Sequence, residues 1–274
     1  DARAGNTIRG NAVEGNGGGI ALVSGTTGAL VADNVLALNS SAALLIRDAT
    51  ANRLEDNDVV GGGDLGVGLE RASGNTLLDN EVSGTSDGGI EIRDASHANR
   101  IEGNDVSEAG DTGIMVDLSD RNEVIGNTTH FMSDSGITLV SANDGVVRGN
   151  DLRFSSGGLQ VDGSSRNRIE GNNASDSSGI GIELGGDSYG NVVAQNVALD
   201  NGAVGIYVAD EAITDPGNVV TRNIAGRNRG DGIVLAKGGH VVRGNVARAN
   251  GGWGVHAAPG TVDEHRLDRA HLAA

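Results

Sequence analysis

The chain has no cysteine, two prolines, one tryptophan, two tyrosines and two phenylalanines among 274 residues. Without cysteine there is no disulfide frame, no thiol nucleophile and no thiolate metal site, and cysteine usage says nothing about redox compartment. The five aromatic side chains, Phe131, Phe154, Tyr189, Tyr207 and Trp253, are too few for a broad sugar-stacking surface. Lysine occurs once, as Lys237, which leaves little room for lysine-based elimination chemistry. A formal charge of −17 argues against nucleic acid, which calls for a basic face. No apolar run approaches the roughly 20 residues of a membrane-spanning helix.

What is abundant is glycine, 46 residues, and asparagine at fixed places. A phrase such as Asn52-Arg53-Leu54-Glu55-Asp56-Asn57 returns about every 23 residues, a period that signals a solenoid. Its closing asparagines are Asn11, Asn34, Asn57, Asn80, Asn104, Asn127, Asn150, Asn172, Asn196, Asn223 and Asn245. A second phrase, Gly-Ile-x-Val/Leu, recurs as Gly89-Ile90-Glu91-Ile92 and Gly113-Ile114-Met115-Val116. A third, as in Asp58-Val59 and Asp105-Val106, follows each closing asparagine. All three alternate apolar with variable residues, the two-residue period of half-buried strands.

Three short strands per coil predict an all-β, right-handed parallel β-helix of about eleven coils, roughly 50 Å long at about 4.8 Å per coil. The glycines suit frequent left-handed turns. The closing asparagines are expected to occupy left-handed turns themselves and to bond the amides of the coils above and below. The unbroken period makes residues 1–258 one elongated domain, with 259–274 a C-terminal cap or tail. There, Thr261-Val262-Asp263-Glu264 reads as a capping box opening a short helix toward Leu272. An upstream domain, leader or cap is expected before the first coil.

The order Gly-Ile-x-Leu then Asn-x-Ile-x-x-Asn is similar to NosD-type, pectate-lyase-like and mannuronan-epimerase-like β-helix domains over residues 5–258. The resemblance implies a secreted, periplasmic or cell-surface protein that recognises a polysaccharide, with its groove along the Gly-Ile-x-Leu strand. Catalytic signatures of those families are missing: Asp215-Pro216 is followed by Gly217 rather than His, and Gly-His-Gly is absent. NosD-like copper handling would want Met and His clusters, which Met115, Met132 and six scattered His do not supply.

Outward positions of the Gly-Ile-x-Leu strands offer a substrate-binding patch of Glu91, Arg93, Asp117, Gln160, Asp162, Glu183 and Tyr207, with Arg93 lying between Glu70 and Asp117. A solvated, charge-paired surface explains the same residues. Asp64, Asp87, Asp111 and Asp134 each stand two residues before a Gly-Ile-type phrase. They stack as a column in which Asp87, Asp111 and Asp134 could share calcium or merely form Asx-turns. His130 and Arg153 fall in one register, with Asp151 and Asp105 in the next. A histidine acid/base beside an arginine suits uronate elimination or epimerisation. Phe131 and Phe154 read as a stacked internal pair. Central coils also replace a second asparagine position by Gly62, Thr85, Ala109, Met132, Ser155 and Ser177, so binding is expected there. Residues 210–217 form an insertion expected to make a lip. Two readings remain: a polysaccharide-recognising domain with lyase or epimerase activity, or a non-catalytic rod within a larger surface protein.

Overall fold

The computed structural model describes residues 5–209 and 217–263. Strands of the three phrases pair only with their counterparts in adjacent coils, all in parallel. Sheet A, twelve strands, carries the Asn-x-Ile-x-x-Asn phrase; sheet C, eleven strands, carries Gly-Ile-x-Leu. Sheet B is split into six strands and three, joined through single bridges from Thr128 to Asp151, Asn173 and Val197. This is the solenoid expected from the period. Ile8, Val31, Leu54, Leu77 and Ile101 stack as one internal ladder, and Val67, Ile90, Ile114, Ile137 and Leu159 as another. Buried aliphatics form one continuous core along the rod.

The asparagines act through hydrogen bonds and not through their own backbone conformation. Left-handed φ falls on the residue before each one, as at Asp56, Asp79 and Gly103, whose φ values are 52°, 51° and 67°. Each closing asparagine donates its Nδ2 to the Oδ1 of the next, as from Asn104 to Asn127 at 2.9 Å. The same Oδ1 accepts the backbone N–H of Asn104, and Asn127 Nδ2 also reaches Ile101 O at 2.9 Å. Every buried polar atom thereby has a partner within the column. The opening asparagines make a second buried column, seen between Asn52, Asn75, Asn99 and Asn122.

Glycine in Gly-Ile-x-Leu answers a need for space. A Cβ on Gly89 would stand 2.3 Å from Val106 Cγ1 and 2.6 Å from Gly113 O, so no side chain fits where sheets B and C meet. At the C-terminal end, Val262–Asp263 adds a strand to sheet A instead of opening a helix, and Thr261 Oγ1 donates to Ala258 O. The rest of the expected helix, and residues 210–216 of the expected lip, lie outside the described residues.

Two irregular core positions have measurable consequences. Thr129 stands where Val59, Val82 and Val106 stand in preceding coils, and its buried Oγ1 has no partner. Thr129→Val is expected to raise unfolding free energy by about 1 kcal/mol, because it removes an unsatisfied hydroxyl at constant shape. A chemical denaturation curve checks this. His240 ends the opening-asparagine column, accepting the Asn218 N–H on Nδ1 at 3.1 Å while its buried Nε2 is unpartnered. Burial pushes its pKa below the ordinary 6.5. The unfolded chain therefore takes up a proton that the folded chain refuses. Stability is intact above about pH 6.5 and falls as pH drops through that value. His240→Asn restores the ladder residue. It should abolish this component, flattening the melting temperature between pH 8 and 5, where the parent's falls.

Candidate functional site

On sheet C the outward columns form as expected. Gly68, Glu91, Met115, Thr138, Gln160, Glu183 and Tyr207 lie in one register; Val140 pairs with Asp162 in the next. Arg93, however, does not bridge Glu70 to Asp117. Its Nη2 lies 2.7 Å from Glu70 Oε1 and its Nη1 3.2 Å from Glu91 Oε2, while Arg47 grips the other Glu70 oxygen. Glu70 is buried, and this double clamp, Arg47 foremost, holds its carboxyl below the usual carboxylate range. Glu91, also buried, is shifted the other way by desolvation, as is the half-buried Glu183. Arg47, Glu70, Glu91 and Arg93 line a cleft of about 250 Å³, but its cations are consumed by its own anions. Asp117, Gln160, Asp162 and Tyr207 lie further along the strip.

The aspartate column exists: Asp111 N–H donates to Asp87 O and Asp134 N–H to Asp111 O, both at 3.3 Å. Among the described residues, no three His, Asp or Glu side chains converge as a metal cluster, at this column or elsewhere. The same absence of convergence fails to fit copper: Met132 is buried in the core, and His97, on another corner, accepts the Asp120 N–H.

The corner between sheets B and C is built differently. Its outermost position is left-handed in every coil from Leu38 through Gly61, Gly84, Glu108, Phe131, Phe154, Asp176 and Asp200 to Arg227. Left-handed backbone directs these side chains away from the core. Phe131 and Phe154 are accordingly 57% and 47% exposed, which overturns the expectation of an internal pair. Their rings stack at 5.9 Å between centroids with 22° between planes. For a bulky residue a left-handed φ costs about 1 kcal/mol or more, and glycine occupies the same corner at Gly61 and Gly84 without that cost.

His130 and Arg153 flank that pair as their register requires. The His130 ring meets Phe131 edge-on at 5.0 Å, and its Nδ1 lies 3.6 Å from Asp105 Oδ1. Arg153 sits 5.3 Å above the Phe154 ring and donates Nε and Nη2 to the two oxygens of Asp151 at 2.8 and 2.7 Å. His130, Arg153, Asp151 and both phenylalanines line a pocket of about 290 Å³. Beyond Phe154 a larger open cleft, about 500 Å³, runs past Ser155 and Ser177, where the second asparagine position is lost. The phenylalanines are the residues that sequence reasoning placed wrongly. The signal was available, since both directly precede positions equivalent to that second asparagine, a place held in most other coils by glycine or a charged residue.

The fold is that of a parallel β-helix protein. The chain belongs to the right-handed β-helix region family, which matches residues 95–247. The family described as periplasmic copper-binding protein (NosD) matches residues 1–132. No curated protein matches the chain. Among solved structures, the A-module of mannuronan C-5 epimerase AlgE4 from Azotobacter vinelandii is similar at TM-score 0.69 and 15% identity, covering 95% of this chain and 91% of that one. The Dettilon tailspike protein matches at TM-score 0.69 and 14% identity over 91% of this chain, which spans 60% of the tailspike. An alginate lyase from a Paenibacillus species matches at 0.51 and 15%, covering 93% and 94%. At these identities the likeness shows the fold. No helix among the described residues is long and apolar enough to cross a membrane.

Proposed function

We propose that this chain is a polysaccharide-recognising β-helix that works outside the cytoplasm, in the periplasm, at the surface or secreted, and holds a glycan against the corner of Phe131 and Phe154. The single observation that carries the reading is the stacked, exposed, backbone-strained phenylalanine pair in a chain otherwise almost free of aromatics. Apolar ring faces bind the C–H faces of sugars. His130, Arg153 and Asp151 beside them supply donors and acceptors for hydroxyl or carboxylate groups. Glycan chemistry also agrees with structural neighbours titled mannuronan epimerase and alginate lyase.

A uronan lyase or epimerase is the second reading, favoured by His130 and Arg153 lining one pocket. His130 would remove the proton alpha to the uronate carboxylate, and Arg153 would steady the resulting enolate. Binding is the better supported role, because two Arg153 donors are already engaged by Asp151. A panel of uronans and neutral glycans, followed by affinity electrophoresis and by ultraviolet absorbance of unsaturated products, separates the readings. Retention without turnover is the expected result. Turnover lost in His130→Ala and Arg153→Ala would establish the enzyme, and no retention by any glycan would end both readings.

A further inference from the structure

We infer that the glycan site does not end at the phenylalanine pair but continues along the solenoid axis through the serine-lined cleft to Arg229, and that it takes an extended, uronate-containing chain of about four rings. This rests on the polysaccharide reading and names the ligand's direction, length and charge. Successive coils place Ser156, Ser178, Gly202 and Arg229 one above another, joined by backbone bonds from each N–H to the residue preceding its lower neighbour. Three small residues in a row open the cleft floor, and Arg229 closes its far end. Gly202 cannot carry a side chain, since a Cβ would lie 1.9 Å from Ser178 O. Ser177, 2% exposed, lines the same cleft with an Oγ that has no partner. Its backbone N–H is satisfied by Asn201 Oδ1 at 2.9 Å and its Oγ is buried, so Ser177 serves the cleft as a small floor residue.

From the coil of Phe131 to that of Arg229 is four steps, about 19 Å at about 4.8 Å per coil, long enough for roughly four rings at one ring per coil. Charge selects the ligand. A net −17 repels a polyanion over most of the surface, but this edge is locally balanced. Asp151 is held by Arg153 and Asp200 by Arg227, while Asp176 lies in the field of both arginines. Arg229 is exposed and makes no ion pair among the described residues, so its guanidinium is open to a sugar carboxylate.

Calorimetric titration with oligouronates of two to six rings, and with neutral manno-oligosaccharides of the same lengths, tests the proposal. Affinity for oligouronates should climb to about four rings and then level. Arg229→Gln should weaken the four-ring uronate about tenfold and leave the neutral sugar within twofold. A plateau at two rings, with Arg229→Gln silent while loss of the phenylalanines still abolishes binding, would overturn this inference and leave the corner platform standing. Neutral chains binding as tightly as uronates would overturn the charge assignment. Binding indifferent to the phenylalanines as well would remove the parent reading.

Discussion

Asn127→Ala is expected to lower the unfolding free energy by about 4 kcal/mol. The side chain makes four hydrogen bonds in a site with 1% exposure: Nδ2 to Asn150 Oδ1 and to Ile101 O, and Oδ1 from the N–H and the Nδ2 of Asn104. Removing it leaves the buried Asn104 N–H without an acceptor, and each orphaned group costs about 1–3 kcal/mol. Asn127→Asp keeps the acceptor but loses the donor and buries a charge, so it should be no better. Asn11→Ala, at the exposed end of the same column, loses only the bond to Asn34 and should cost less than about 1 kcal/mol. Urea unfolding of the three variants checks the gradient. Equal losses at Asn11 and Asn127 would show that burial within the column is not the source of its strength.

That column was legible because its cause is periodic. Residues 23 apart meet in register, so Ile8, Leu54 and Leu77 could be stacked correctly before any coordinates. So could the outward strip from Glu91 to Tyr207. Register says which residues are neighbours but not how far a long side chain reaches. Arg93 was placed beside its correct partner Glu70, yet its second bond runs sideways to Glu91 in its own strand instead of on to Asp117. The aspartate column shows the same limit: a column of Cα atoms fixes the spacing of residues along the axis but not whether their carboxylates converge, and no cluster of three forms among the described residues.

The corner was misread for a different reason. Whether Phe131 faces the core or solvent depends on φ at one residue, and alternation breaks at turns. Phe131 follows His130 at a strand end, where the two-residue period no longer tells inside from outside. The comparison that decides it is between coils: the positions equivalent to Phe131 hold Gly61, Gly84 and Asp200, residues suited to left-handed turns and poor core formers. The same reasoning exposes the role of glycine in Gly-Ile-x-Leu. Those glycines sit where sheets B and C nearly touch, and close approach, not turn conformation, excludes a side chain at Gly89 and Gly113.

Replacing both phenylalanines by glycine should separate stability from recognition more sharply than any other change. Phe131 and Phe154 have φ of 63° and 64°, a conformation that glycine adopts freely and that costs a side-chain-bearing residue about 1 kcal/mol or more. The two residues are about half exposed, so little core burial is lost. The contacts given up are the mutual stack, the His130 edge contact and the Arg153 cation–π contact, each worth about 0.5–1.5 kcal/mol at such sites. These terms nearly cancel, and the double variant Phe131→Gly/Phe154→Gly is expected to unfold within about 1 kcal/mol of the parent. Glycan affinity should fall at least tenfold, since the apolar platform is gone while His130 and Arg153 remain. Phe131→Tyr and Phe154→Tyr, which keep the ring face, should retain most of the affinity. Should the glycine variant bind as the parent does, the rings would be ornamental and the strain would need another explanation. Should the variant fail to fold, the stack would be structural and the tyrosine pair would still report on binding.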